Sequence, residues 1–127
     1  MFEVSVTADF SAAHALQGYD GKCANVHGHN FVVEAFVKAG ATGSDGITVD
    51  FLELKTILRE TVSELDHKLL NEVPPFDQVN PTSENIARWI FSVIEERLES
   101  DNATLSAVKV AESPDCSVIY TKDEPCA

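Results

Sequence analysis

Seven residues, Cys23-Ala24-Asn25-Val26-His27-Gly28-His29, contain two of the four histidines of the chain and one of its three cysteines. The residues that follow, Asn30 to Val37, read as a strand. Side chains alternate faces along a strand, so His27 and His29 point the same way, with Cα atoms about 6.5–7 Å apart. Two imidazoles span that gap onto one metal ion, because a Zn–N bond is only about 2.0–2.1 Å. His14, in Ser11-Ala12-Ala13-His14, is the candidate third ligand. Three histidines leave a fourth position open, as a catalytic zinc requires. Gly28 bares the opposite face of the strand, which suits a bulge or a close backbone approach. Each residue also has an ordinary reading. A histidine pair at a strand start is often polar surface, and a lone Cys23 is more often a small buried hydrophobe than a nucleophile. The fourth histidine, His67, directly follows Asp66.

These residues need a scaffold, and 127 residues bound it to a single domain, 1–127. A hydrophobic fraction of 44% suits a soluble fold, and the sequence holds no apolar run that would span a bilayer. A net charge of −12 without a Lys/Arg cluster argues against nucleic acid or an anionic membrane as partner. Three irregularly spaced cysteines argue against a disulfide framework. With no leader expected, they place the chain in the cytoplasm.

Phe2 to Phe10 alternates, with Phe2, Val4, Val6, Ala8 and Phe10 on one face, and predicts a half-buried strand. Ser11 to Ala24, with Gly18 and Gly21, reads as a loop carrying His14 and Cys23. A second strand from His29 to Lys38, paired antiparallel with the first, brings His14 across from His27 and His29. Ile47 to Val49 reads as a short extended piece. Asp50 with Glu53 forms a capping-box pattern before a helix whose apolar stripe includes Phe51, Leu54, Ile57, Leu58, Val62 and Leu65, ending near Asp66 to Asn71. Thr82 or Ser83 caps a second helix, on which Glu95, Glu96 and Glu99 form a solvated face. Strands over Leu105 to Ala111 and Cys116 to Tyr120 follow, and the tail 121–127 reads as loosely ordered. The order ββααββ predicts an α+β domain: one four-stranded antiparallel sheet with both helices on one face. Its two open edges are a liability that oligomerisation would cover.

Phe10 to His14, Cys23 to Asn30, Val49-Asp50-Phe51, Leu65-Asp66-His67-Lys68-Leu69-Leu70-Asn71, Asn80-Pro81-Thr82-Ser83-Glu84-Asn85 and Val110-Ala111-Glu112 occur in this order. Together they resemble the 6-pyruvoyltetrahydropterin synthase / 6-carboxytetrahydropterin synthase family over nearly the whole chain. The resemblance implies the tunnelling fold, a homohexamer built from two trimers with active sites at subunit interfaces, and 7,8-dihydroneopterin triphosphate as substrate. It implies zinc on His14, His27 and His29. It also implies Cys23 as catalytic thiol, Asp66 and His67 as its proton-handling partners, Glu112 as anchor of the pterin ring, and Thr82, Ser83 and Glu84 in the pterin pocket. The three-residue gap between Cys23 and His27 resembles the bacterial 6-carboxytetrahydropterin synthases of the queuosine (7-deazaguanine) pathway, whereas the pyruvoyl-forming members generally carry a longer insert. Ala111-Glu112-Ser113 departs from the pattern, in which Glu-Thr is common after the strand.

The rival readings are the pyruvoyl-forming activity and, outside enzymes, a structural zinc-binding protein. Taken without the zinc stretch, Asp66-His67 reads as a helix C-terminus whose histidine caps the last carbonyls, and Glu112 as an exposed strand residue. Cys116 and Cys126 read as bystanders.

Overall fold

The computed structural model describes residues 1–98 and 100–122. In chain order the elements are β1 (Phe2–His14), β2 (His27–Ala39), α1 (Phe51–Ser63), β3 (Lys68–Leu69), α2 (Ser83–Arg97), β4 (Ala103–Ser113) and β5 (Cys116–Tyr120). They form one sheet in the order β3-β1-β2-β4-β5, with α1 packed on β1 and α2 on β4 and β5. The α+β class and the two helices match the expectation; the strand count of four becomes five. The added strand is only two residues long and runs parallel to β1, pairing Ala12 with Lys68 and Ala13 with Leu69. A two-residue strand carries no alternation, so no periodicity could reveal it.

The core lies between the sheet and the helices. Val6, Phe10 and Ala12 of β1, Phe31, Val33, Ala35 and Val37 of β2, and Val108 and Val110 of β4 are all buried there. Leu54, Leu58 and Val62 of α1 and Ile86, Ile90 and Ile94 of α2 close over them. Asp50 starts α1 by accepting the Leu52 N–H at 2.9 Å, and Thr82 Oγ1 starts α2 by accepting the Asn85 N–H at 3.1 Å. Each satisfies one of the backbone donors that a helix start leaves free.

Four boundaries differ from the sequence reading. Strand β1 continues through Ser11 to His14, so His14 stands on a strand and not in a loop. Helix α1 stops at Ser63, short of Asp66. Residues 47–49 join no strand. The residues of β4 read as two alternating sets, yet Leu105, Val108 and Val110 are all buried. A bulge resolves this: Val37 pairs with Leu105 and Phe36 with Ala107, leaving Ser106 as an extra residue that reverses the alternation. Glu99, Cys126 and all of the tail except Thr121 and Lys122 lie outside the described residues.

Candidate metal centre and active site

The histidines extend the buried rows of the sheet. On β1 the core face runs Phe10, Ala12, His14; on β2 it runs His27, His29, Phe31. His14 is the direct cross-strand partner of His27, and His29 stands opposite Ala12, whose small side chain leaves room for three rings. The rings are tilted and do not stack: centroids lie 4.6 Å apart for His14 and His27, 5.4 Å for His14 and His29, and 4.9 Å for His27 and His29. One ligand atom from each falls within 4.8 Å of the others.

Backbone carbonyls set two of the tautomers. His14 Nδ1 donates to Pro81 O at 2.7 Å and His27 Nδ1 to Asn25 O at 2.8 Å. Each ring then carries a lone pair on Nε2, the form that binds metal, with its orientation held from behind. His14 is fully buried, and burial pushes its pKa below the usual value of 6.5; His27 and His29 add to the effect, while the Pro81 carbonyl and Glu112 oppose it. Neutral imidazole is therefore favoured. Nε2 of His14 and of His29 are buried without a hydrogen-bond partner. Such orphaned atoms cost about 1–3 kcal/mol each, and a divalent cation between them removes that cost. Three imidazole nitrogens within 4.8 Å of one another, with two buried ring nitrogens orphaned, fit a zinc-type ion.

Glu112 continues the β4 row beyond Val108 and Val110. Ala111 pairs with Ser117 and Ser113 with Cys116, so Glu112 is a bulge residue without a ladder partner. Bulges re-aim side chains beside active sites. Oε1 of Glu112 accepts from the buried Ser83 Oγ at 2.7 Å, and Oε2 lies 3.8 Å from His29 Nε2. A carboxylate is thereby held at the rim of the metal site with acceptor capacity to spare. Beside it a small cavity is lined by Ser83, Glu84, Glu112, Cys116, Ser117 and Val118. Thr82 is present at this corner, but its hydroxyl is the cap of α2. Cys116, a bystander in the sequence reading, lines the cavity as the partner of Ser113 across the bulge. A bulge leaves no signal in one sequence, so nothing could have flagged it.

Cys23 is a half-buried free thiol. It lies in a short 3-10 turn, Lys22–Ala24, two residues before Asn25, which holds the His27 ring. Asp66 and His67 sit elsewhere, on the outer edge of β1. Asp66 Oδ1 accepts the Ser11 N–H at 2.8 Å, and its Oδ2 lies 2.9 Å from His67 Nδ1. The Ser11 N–H first, and then His67, hold the Asp66 carboxyl below its usual range. His67 has φ 59°, a left-handed conformation uncommon for a non-glycine residue, and its N–H donates to Ser11 O at 2.6 Å. Its ring is 81% exposed. The helix-cap reading of His67 fails, since α1 has already ended and Lys68 Nζ reaches Glu64 O instead.

His67 opens onto a surface groove lined by Ser11, Ala13, Gly28 and Asn30, the residues that alternate with the core-facing ones. Gly28 pairs regularly with Ala13, and a side chain there would meet Ala12 O at an ordinary 3.6 Å. It marks neither a bulge nor a tight approach; its bareness helps open the groove. Among the described residues no hydrogen bond or ion pair joins Cys23 to Asp66 or His67. One chain thus gathers the three histidines and Glu112, and sets the Asp66–His67 pair on the outer edge of β1.

No helix of the described residues is long and apolar enough to cross a membrane. A protein of Archaeoglobus fulgidus provisionally named 6-carboxy-5,6,7,8-tetrahydropterin synthase is 42% identical over 113 residues, covering 88% of this chain and 89% of that one. The dihydroneopterin monophosphate aldolase of Pyrococcus furiosus is 39% identical over 94 residues, 74% of this chain and 75% of its own. The solved 6-pyruvoyl tetrahydropterin synthase of Caenorhabditis elegans superposes with a TM-score of 0.86 at 26% identity, covering 96% of both chains. The family model described as 6-pyruvoyl tetrahydropterin synthase matches residues 3–123. The histidine cluster on adjacent strands, the glutamate at its rim and this match lead to one assignment: the chain belongs to the 6-pyruvoyl tetrahydropterin synthase family.

Proposed function

We propose that this pterin synthase is a zinc-dependent 6-carboxy-5,6,7,8-tetrahydropterin synthase. It would act on 7,8-dihydroneopterin triphosphate, release acetaldehyde and triphosphate, and serve queuosine (7-deazaguanine) biosynthesis in the cytoplasm. The observation that carries this reading is the convergence of three imidazoles with Glu112 Oε2 3.8 Å from His29. The short gap from Cys23 to His27 and the name of the Archaeoglobus relative support the carboxy-forming branch.

His14, His27 and His29 would hold the ion, which when bound acts as a Lewis acid on the hydroxyls of the substrate side chain. Glu112 accepts parallel hydrogen bonds from the amino and ring N–H groups of the pterin, as bidentate recognition requires, and Ser83 keeps its carboxylate turned to them. Glu84 and Thr82 shape the cavity wall. Cys23 takes a proton from the side-chain carbon as the acting base. Asp66 orients the His67 imidazole, which returns protons. In the hexamer the resemblance implies, a neighbouring copy would present that pair to the thiol, since no hydrogen bond or ion pair joins it to Cys23 among the described residues of one chain.

The test is incubation of the zinc-loaded protein with 7,8-dihydroneopterin triphosphate and identification of the products by mass. A carboxylated pterin with acetaldehyde is expected. A pyruvoyl pterin would assign the activity named for the Caenorhabditis protein. Turnover only of the monophosphate would favour the aldolase activity, a reading that the Pyrococcus relative supports. A structural metal site predicts no turnover by the zinc-loaded parent protein.

A further inference from the structure

Beyond His14 the strand formally ends, yet its outer edge stays paired. Ala15 N donates to Asn71 Oδ1 at 2.9 Å, and Asn71 Nδ2 donates back to Ala15 O at 2.9 Å. Two residues on, Gln17 N donates to Asn80 Oδ1 at 2.9 Å and Asn80 Nδ2 donates to Gln17 O at 3.0 Å. A carboxamide carries one acceptor and an N–H donor group, the complement of a peptide group. Each asparagine therefore does what a residue of a neighbouring strand does, exchanging both bonds with a single residue. The spacing of two matches the strand period. Between the two brackets Leu16 faces the other way, and its N–H donates to Cys23 O at 2.8 Å.

The segment so held needs holding. Between Gln17 and Cys23 the chain passes through Gly18 (φ 72°) and Gly21 (φ 143°), with Tyr19 exposed. Glycines in these conformations are the residues with most freedom to lose. Asn80 is itself fixed, since its carbonyl accepts from Asn85 Nδ2 at 2.9 Å. The carbonyl of the next residue, Pro81, accepts from the ring Nδ1–H of His14 at 2.7 Å. One short connection thus holds a metal-ligand histidine and the loop carrying the thiol.

We propose that Asn71 and Asn80 are positioning residues: by continuing the edge of β1 with side-chain amides, they keep the Leu16–Cys23 contact closed and Cys23 in register with the metal site. The kinetic consequence rests on the reading of Cys23 as the acting thiol; the clamp itself does not.

In the zinc-loaded protein, hydrogen exchange at the Ala15 and Gln17 amides should be at least about tenfold slower than at Tyr19 and Asp20. Asn71→Asp and Asn80→Asp keep the shape of the side chain but place an oxygen against the Ala15 or Gln17 carbonyl. Loss of the donated bond, with a carboxylate oxygen set against a carbonyl, makes the effect of each variant about tenfold. Tryptic cleavage after Lys22 and alkylation of Cys23 by iodoacetamide, followed by peptide mass, should accelerate by that factor with zinc content retained. With 7,8-dihydroneopterin triphosphate, kcat should fall about tenfold at nearly constant KM. Unprotected Ala15 and Gln17 amides in the parent protein overturn the proposal without any variant. So do unchanged cleavage and alkylation in metal-replete variants, or a loosened loop with unchanged kcat. If the parent does not turn this substrate over, the proposed activity fails, while exchange and cleavage still decide the clamp.

Discussion

Replacing Ser83 with alanine separates holding of Glu112, the proposed pterin anchor, from everything else at the start of α2. Ser83 is 7% exposed and its hydroxyl donates to Glu112 Oε1 at 2.7 Å. A hydrogen bond to a charged acceptor contributes about 1.5–3 kcal/mol when fully sheltered. The Glu112 side chain is 28% exposed, so water replaces part of that bond in Ser83→Ala, and about 1.5 kcal/mol of orientation remains to be lost. That corresponds to roughly a tenfold rise in the dissociation constant for a free pterin, read by titration without turnover. The metal site should be untouched, since the bond to Pro81 O that orients His14 does not involve the Ser83 side chain. Zinc content should stay at the parental value. Thr82→Ala is the matched control one residue away. It removes the cap on Asn85 N and should lower stability by about 1 kcal/mol, or about 4 °C in Tm, with a smaller loss of pterin affinity than Ser83→Ala. Parental pterin affinity in Ser83→Ala, or an equal loss in both variants, would show that Ser83 does not set the direction of the carboxylate.

Three further outcomes follow from the metal centre. Chelation should lower Tm in a way that added zinc reverses, since an ion bound only by the folded state stabilises it by RT ln(1 + [L]/Kd); His14→Ala should abolish the zinc-dependent part. The folded pKa of His14 lies below the unfolded 6.5, so the unfolded chain takes up the proton first. The metal-free protein should therefore hold its full stability above pH 6.5 and lose it as pH falls from there through the folded value, a slope that denaturation at stepped pH should show and that His14→Asn should flatten. Cys23→Ala should retain zinc, measured by metal analysis, and lose nearly all turnover of 7,8-dihydroneopterin triphosphate.

The sequence made the histidine cluster legible because strand alternation is a strong geometric rule: a reading that pairs β1 with β2 brings His14 opposite His27 before any coordinates exist. The two helices were legible for the same reason, with caps and apolar stripes in agreement. What escaped the reading is everything made by single extra residues or by side chains acting as backbone. The bulges at Ser106 and Glu112 change which face a side chain takes, and only the paired strand defines them. The end of β1 was misplaced because Ser11 to Ala13 are small and mixed in polarity. Asp66 was read as part of a helix end because Leu65 fits the helical spacing; the chain instead turns at His67 to run beside β1.

That turn accounts for the outer edge of β1 as a whole. The backbone of Ser11 is met by Asp66 and His67, that of Ala15 by Asn71 and that of Gln17 by Asn80, while β3 pairs at Ala12 and Ala13. An exposed strand edge invites pairing with any other chain; here the half nearer the histidines is closed by Asp66, His67, Asn71 and Asn80. Over Phe2 to Phe10 no described strand covers the edge. The half left open for another copy is thus the half remote from the histidines, so assembly through it would leave the coordination geometry undisturbed.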